Sequence, residues 1–435
     1  MPTPPATCLT PAALSAGGAP HAALPALPPG IGVGPASGGP PRPPVDRTHY
    51  GTPYDDHLDT AHFTINWAPG AATLEQAEAA GVALERAWEA YAAAGWPAPV
   101  SSDSYYLWVL LDPELGGTGL TAEYYTDEYP QGYPIIWLNP LWAEDAPFFA
   151  SLASHELHHA VQYAMRETWA PRGESWMWEA TAGWASWLVE PGTRAIDYTI
   201  EWYANDAHLA ADTMNSGHEY GMAAFTQHLD LTQGGPEAIR ALWEAGATDP
   251  SPWVDLLPGV YGEDAGTLFA RFAVDYANDS YGGTARWADP PLHDPEAGPY
   301  SAEAYGSRAY APEGGGRWTL VVDEGEAVIA GPDTVGDRVE VADGEVFTVT
   351  ATSPRGATWR LEPTVEDSGG AGDGGEDLDD TDGGDGGGAD AGGAGETAAD
   401  GEGGSKGGGC ASAPGLSVGW ALIGVVALVA LRRRG

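Results

Sequence analysis

Between Ala71 and Ala94 apolar residues recur at helical spacing: Leu74, Ala77, Ala80, Val82, Leu84, Ala87, Trp88 and Tyr91. The run stops at Gly95, with Pro97 beyond, so the pattern predicts an amphipathic helix. Tyr105–Leu111 is rich in β-branched and aromatic residues and ends at Asp112-Pro113, which predicts a strand. Tyr133–Leu138 predicts another, closed by Asn139-Pro140. A long helix is predicted over about Pro147 to Met165, a second over Ser175 to Val189 and a third over Tyr220 to Leu231. Pro191 ends the second and Gly234-Gly235-Pro236 the third, and further helices are predicted at Glu237–Ala245 and Ala265–Tyr276. From Arg317 to Glu362 the period changes to alternation broken by turn residues, which predicts about five short strands.

These patterns divide the chain. Residues 1–46 form a Pro/Ala/Gly-rich arm without amphipathic period. Residues 47–310 read as one α+β domain: a mixed N-terminal sheet, then a largely helical C-terminal part. Residues 315–363 read as a small all-β module. Residues 364–409 are Gly/Asp-rich, have no means of forming a core, and read as a disordered spacer. Residues 410–435 hold Cys410, an apolar stretch Leu416–Leu431 that reads as a transmembrane helix, and the cluster Arg432-Arg433-Arg434. The stretch is short for a full span, but the Arg cluster supplies a positive-inside stop.

Charge narrows the function classes. Against 62 Asp and Glu stand 18 Lys and Arg, a net charge of −44. Thirteen of the acids lie between Glu366 and Glu402; without them and the four basic residues from Lys406 on, the rest still carries −35. An electrostatic nucleic-acid binder is thereby excluded, since phosphate neutralisation needs clustered cations. The two cysteines, Cys8 and Cys410, cannot form a disulfide framework. Met1–Pro20 shows neither the basic nor the apolar region of a secretory signal. Either the protein is not exported or its true start lies upstream of Met1; the C-terminus favours the second reading.

The candidate chemistry lies in Ser154-His155-Glu156-Leu157-His158-His159. On a helix, His155 and His159 fall on one face about 6 Å apart along the axis, where two imidazoles can hold one Zn²⁺. Glu156 lies about 100° round from His155, close enough to serve a metal-activated water as general base without ligating the metal. His158 points elsewhere and reads as a packing or surface histidine. A catalytic zinc needs a third protein ligand. A His ligand in His-Glu-x-x-His-x-x-Gly-x-x-His is excluded, because Gln162 and Met165 occupy the last two positions. A Glu on the following helix remains. Glu179, in Trp176-Met-Trp-Glu-Ala-Thr-Ala-Gly-Trp184, fits, with Glu174 and Glu190 as rivals at the helix ends. A Glu set among Trp176, Trp178, Trp184 and Trp187 is at least partly buried and needs a partner.

These residues resemble the Glu-liganded zincins (gluzincins), and most closely a myxobacterial metalloprotease family with His-Glu-x-x-His-x-x-Gln followed by a Glu-Ala-x-Ala helix. Here those are His155, Glu156, His159, Gln162 and Glu179-Ala180-Thr181-Ala182. The resemblance covers about Thr48–Tyr310. It implies a zincin-like fold, His155, His159 and Glu179 as zinc ligands and Glu156 as base. It also implies an oxyanion donor from a later helix, for which Tyr220 and then His218 are the candidates; Tyr163 reads as core. The thermolysin-like pattern places an Asp four residues after the ligand Glu, where this chain has Gly183, so another group must orient the first His. The Gly-rich spacer, Cys410, apolar segment and Arg cluster resemble the C-terminal sorting signal of myxobacterial surface proteins. That resemblance implies cleavage by a sorting protease near Cys410 and display at the cell surface or outer membrane; a plain membrane anchor is the simpler reading of the same residues.

The expectation is therefore an exported, surface-anchored zinc peptidase acting on peptide or protein substrates. The strand Tyr133–Leu138 is expected to be the sheet edge that pairs with an extended substrate. The alternative is a surface binding or adhesion protein that keeps a zincin scaffold without turnover, a reading that Gly183 favours.

Overall fold

The computed structural model describes residues 48–49, 52–124, 133–165, 175–189, 201–215, 217–278 and 291–364. The arm, the acidic spacer and the C-terminal apolar segment lie outside them. Among the described residues no helix is long and apolar enough to cross a membrane.

A two-residue ribbon, β1 (Thr48–His49) and β2 (Thr52–Pro53), precedes the first sheet. That sheet is built from β3 (Asp56–Asp59), β4 (Phe63–Trp67), β5 (Leu107–Leu111), β6 (Gly119–Tyr124) and β7 (Tyr133–Leu138). Their order is β3-β4-β5-β7-β6. The three central strands are parallel, and β3 and β6 flank them antiparallel. Parallel strands lie buried on both faces, which is why β4, β5 and β7 have no exposed position. Successive side chains serve two cores. Leu107, Val109 and Leu111 point to the helices, while Trp108 and Leu110 pack with Tyr54, Tyr133, Ile135 and Trp137 on the other face.

Tyr133–Leu138 is thus an interior strand, paired with β5 on one side and β6 on the other, and the substrate edge expected there is corrected. The edge on that side is β6. Its sequence, Gly-Leu-Thr-Ala-Glu-Tyr, alternates, but with one β-branched residue and small or polar neighbours it is a weak strand signal.

Helix α1 (Leu74–Ala93) starts from a capping box between Thr73 and Gln76 and crosses from β4 to β5. Its Glu85 is buried and accepts from His62 Nδ1 at 2.7 Å, His62 N at 2.8 Å and Thr60 Oγ1 at 2.5 Å. Against α1 pack α2 (Ala146–Met165) and then α3 (Trp176–Val189). A helical segment over 201–206 (α4) leads towards the four-residue α5 (His218–Gly221) and α6 (Ala223–Gln233). The single helix expected over Tyr220–Leu231 is therefore two, jointed at Met222. Helices α7 (Pro236–Thr248), α8 (Trp253–Tyr261) and α9 (Ala265–Ala277) complete this half; α8 is an addition to the expected set.

The β part is larger than its sequence pattern implies. Strands β8 (Leu292–His293), β9 (Tyr300–Ala302) and β10 (Ser307–Tyr310) precede β11 (Gly316–Gly325), β12 (Ala327–Gly331), β13 (Thr334–Gly336), β14 (Arg338–Val341), β15 (Phe347–Ala351) and β16 (Ala357–Pro363). They form two sheets, β13-β12-β15-β10-β8 and β14-β11-β16-β9, around Tyr310, Trp318, Ile329, Phe347, Val349 and Trp359. Residues 292–310 thus belong to the sandwich by pairing, not to the helical half. Strand β15 is buried at every position because α9 covers its outer side, with Ala270 and Val274 against Ala330.

Candidate metal centre

Helix α2 carries His155 and His159 one turn apart, and α3 brings Glu179 to the same place. His155 Nε2 lies 3.0 Å from His159 Nε2. Glu179 Oε2 lies 3.2 Å from the first and 3.5 Å from the second. Among the described residues these three form the one cluster able to hold a metal ion. His159 and Glu179 are buried and His155 nearly so. Burial pushes the Glu179 carboxyl up, but the charge of His159 and the bonds of both imidazoles prevail and hold it down at about 2. Rivals Glu174 and Glu190 lie outside the described residues.

Gln162 gives the second histidine, His159, an orienting partner. Its Nε2 donates to the Trp178 carbonyl at 3.0 Å and stands 2.7 Å from Thr181 Oγ1, both on α3. The amide is thereby oriented, and its Oε1 faces His159 Nδ1 at 2.7 Å. Nδ1 must then carry the proton, which leaves the Nε2 lone pair for a metal. The same side chain ties the two ligand-bearing helices together. Gly183, where an orienting Asp was missing, has a steric cause: a Cβ there would stand 2.9 Å from the Ala223 Cβ of α6. That position faces a neighbouring helix at close approach.

Glu156 is completely buried. The Thr121 hydroxyl of β6 lies 2.8 Å from its Oε2 and 2.8 Å from its main-chain oxygen. Among the described residues its Oε1 has no hydrogen-bond partner, and a buried carboxylate oxygen without a partner marks a functional group or a strained one. Burial raises its pKa against the opposing charges of His155 and His159. Gly119 makes the room: a Cβ there would lie 2.6 Å from Oε1 and 2.8 Å from Cγ. The edge strand thus approaches the base through a glycine and steadies it through a threonine, and neither residue drew notice in the sequence. The signal was a Gly-x-Thr pair two residues apart, which puts both on one face of a strand.

The remaining candidates separate. Tyr220 is brought to the cluster, its ring 6.2 Å from that of His155. His218 is not. Its ring lies 6.1 Å from Tyr203, and its charged neighbours are Asp206, His208 and Glu303 rather than the cluster. Burial lowers it to about 4. His158 is a packing histidine, edge-on to Tyr91 and Trp96 and kept neutral by burial. Tyr163 is core, against Trp178. Glu219 is a buried carboxylate that sequence reasoning passed over; burial raises its pKa and the charge of Glu179 adds to the shift.

Residues 85–258 match a sequence family described only as a family of unknown function (DUF6055). The matched span contains His155, Glu156, His159, Gln162, Glu179 and Tyr220. No match to a curated protein was found.

Proposed function

We propose that this protein is a zinc-dependent peptidase with a gluzincin-type site on a zincin-like fold, exported and held at the cell surface by its C-terminal segment. The observation that carries the reading is the triangle of His155 Nε2, His159 Nε2 and Glu179 Oε2, with sides of 3.0, 3.2 and 3.5 Å. A tetrahedral Zn²⁺ with bonds of about 2.0–2.2 Å sets its ligand atoms roughly 3.4 Å apart, so the side chains need almost no movement to receive it. Three groups of metal-ligating type converge there in a largely buried place. When bound, the metal would acidify a water and polarise the scissile carbonyl.

The chain's own groups divide the remaining work. Glu156, aimed by Thr121, takes the proton of the attacking water and passes it to the leaving amine. Tyr220, its ring 6.2 Å from that of His155, donates to the developing oxyanion. Strand β6, at the edge of the sheet among the described residues, offers the pairing side to an extended substrate, in place of Tyr133–Leu138. Its Leu120 points outward, 48% exposed. Close approach of α3 to α6 gives Gly183 a packing reason that is independent of turnover. Anchoring and cleavage near Cys410 rest on the sequence of residues 410–435 alone, which lie outside the described residues.

Metal content of the purified full chain tests the reading, together with casein hydrolysis with and without a chelator. One zinc per chain and chelator-sensitive cleavage are expected. Zinc without cleavage would favour the binding-protein reading, and absence of any bound metal would overturn both.

A further inference from the structure

Tyr220 reaches the metal-binding cluster from α5, a helix of four residues. So short a helix cannot fix a side chain by its own hydrogen bonding. Its start is fixed instead by three side chains. Glu219 Oε2 accepts from the backbone N–H of Asn215 at 3.1 Å and of Gly217 at 3.2 Å. Asn215 Oδ1 accepts from Gly217 N at 3.1 Å and from His218 N at 2.8 Å. Asn215 Nδ2 donates to Asp206 Oδ2 on α4 at 2.9 Å. The circuit joins α4 to the first turn of α5. The Gly217 main chain also lies on Trp202, its Cβ position 3.6 Å from the indole, and Trp202 meets Tyr220 nearly edge-on at 6.0 Å. Tyr220 is therefore bracketed by His155 and Trp202, while its own backbone hangs from Glu219.

A carboxylate is a costly way to hold two amides. Glu219 is completely buried in the same region as Glu179, and like charges in a low-dielectric place repel. What a carboxylate adds over a neutral amide is stronger, charge-assisted acceptance at a fixed position. The residue that gains from this fixity is the next in sequence, Tyr220.

We propose that Glu219 is a positioning residue for the reaction: by holding the Asn215 and Gly217 amides it sets Tyr220 against the developing oxyanion. This rests on the peptidase reading above. The test compares Glu219→Gln, Tyr220→Phe and the double variant in the full chain. Glu219→Gln is expected to lower kcat about tenfold, since small displacements of a catalytic group carry losses of that order or more. KM is expected to stay within about twofold and zinc content unchanged. In the Tyr220→Phe background the same substitution should cost less than about twofold, because the two act as one unit. Amide exchange at Asn215 and Gly217 should quicken about tenfold in Glu219→Gln. Equal losses in both backgrounds, or no loss in either, would overturn the proposal while leaving the peptidase intact. A zinc-loaded wild type without hydrolysis would overturn the peptidase reading. Unchanged amide exchange would then refute the clamp separately.

Discussion

In the helical half, Glu85, Glu156, His158, His159, Glu179, His218 and Glu219 all lie in the interior, whereas the buried polar side chains of the sandwich are Ser307, Thr348 and Thr350. The sandwich keeps its charges in water, as in Arg317 Nε with Glu340 Oε2 at 2.9 Å and the Arg360 pairs with Asp323 and Glu362. Burying an ionisable group costs several kcal/mol unless bonds offset it, and exposing it costs nothing. A chain that carries this cost in one half and avoids it in the other has concentrated its chemistry in the first. Among the described residues the sandwich interior holds no carboxylate, Lys, Arg or histidine: Tyr310, Phe347 and Trp359 are fully enclosed, and its inner side-chain hydrogen bonds join neutral groups, as Trp359 Nε1 to the Tyr310 hydroxyl at 3.0 Å.

The contrast breaks most sharply at Glu156. On the proposed peptidase mechanism, Glu156→Gln keeps the shape and the Thr121 contact but removes the proposed base, so peptide hydrolysis should fall by about 10²–10⁴-fold with zinc retained; turnover paired with metal content checks it. Gly119→Ala attacks the same carboxylate from the strand. It should lower kcat by about 10²-fold, because the new Cβ would displace Oε1 from 2.6 Å. Gln162→Ala should weaken zinc about 10–100-fold through the freed His159 ring, measured by competition with a chelator. Glu85→Gln tests a buried carboxylate outside the centre, by thermal melting. Burial raises the Glu85 pKa, but the bonds from His62 and Thr60 outweigh it, so its folded value lies below its unfolded one. Its contribution is therefore present above the unfolded value and lost as the pH falls through the folded one. The variant should cost about 1–3 kcal/mol at neutral pH and show a flatter loss of stability in acid. Arg317→Ala, on the sandwich surface, should change stability by less than about 0.5 kcal/mol in the same melts.

Which groups gather at the site was partly legible. His155, His159 and Glu156 are fixed by helical spacing, and Glu179 by a short run of small and aromatic residues that must form the neighbouring helix. Gln162 was in view but without a role, since its partners Trp178 and Thr181 lie on another helix. Thr121 and Gly119 were invisible, because β6 has the composition of a loop. Tyr220 was preferred to His218 without a decisive ground; on a single-turn helix two residues apart means nearly opposite faces, and the local pattern gives no sign of which face meets α2. The strand β7 misled for a reason that could have been read: Tyr-Pro-Ile-Ile-Trp-Leu has no polar alternation, and a run apolar on both faces asks for cover on both sides.

By itself the sequence determined the periods: where most of the helices and two of the three central strands, β5 and β7, run, that two histidines share a helix face, and that the chain carries a strong net negative charge; β4 and α8 escaped it. Those follow from chemistry between residues a few positions apart. Only the tertiary structure decided that β6 is the edge, that residues 292–310 join the sandwich, that Gln162 holds His159 and that Tyr220 rather than His218 meets His155. Each of these depends on a contact across many residues of chain. Such a contact is settled by which surfaces can be buried together with their polar groups satisfied.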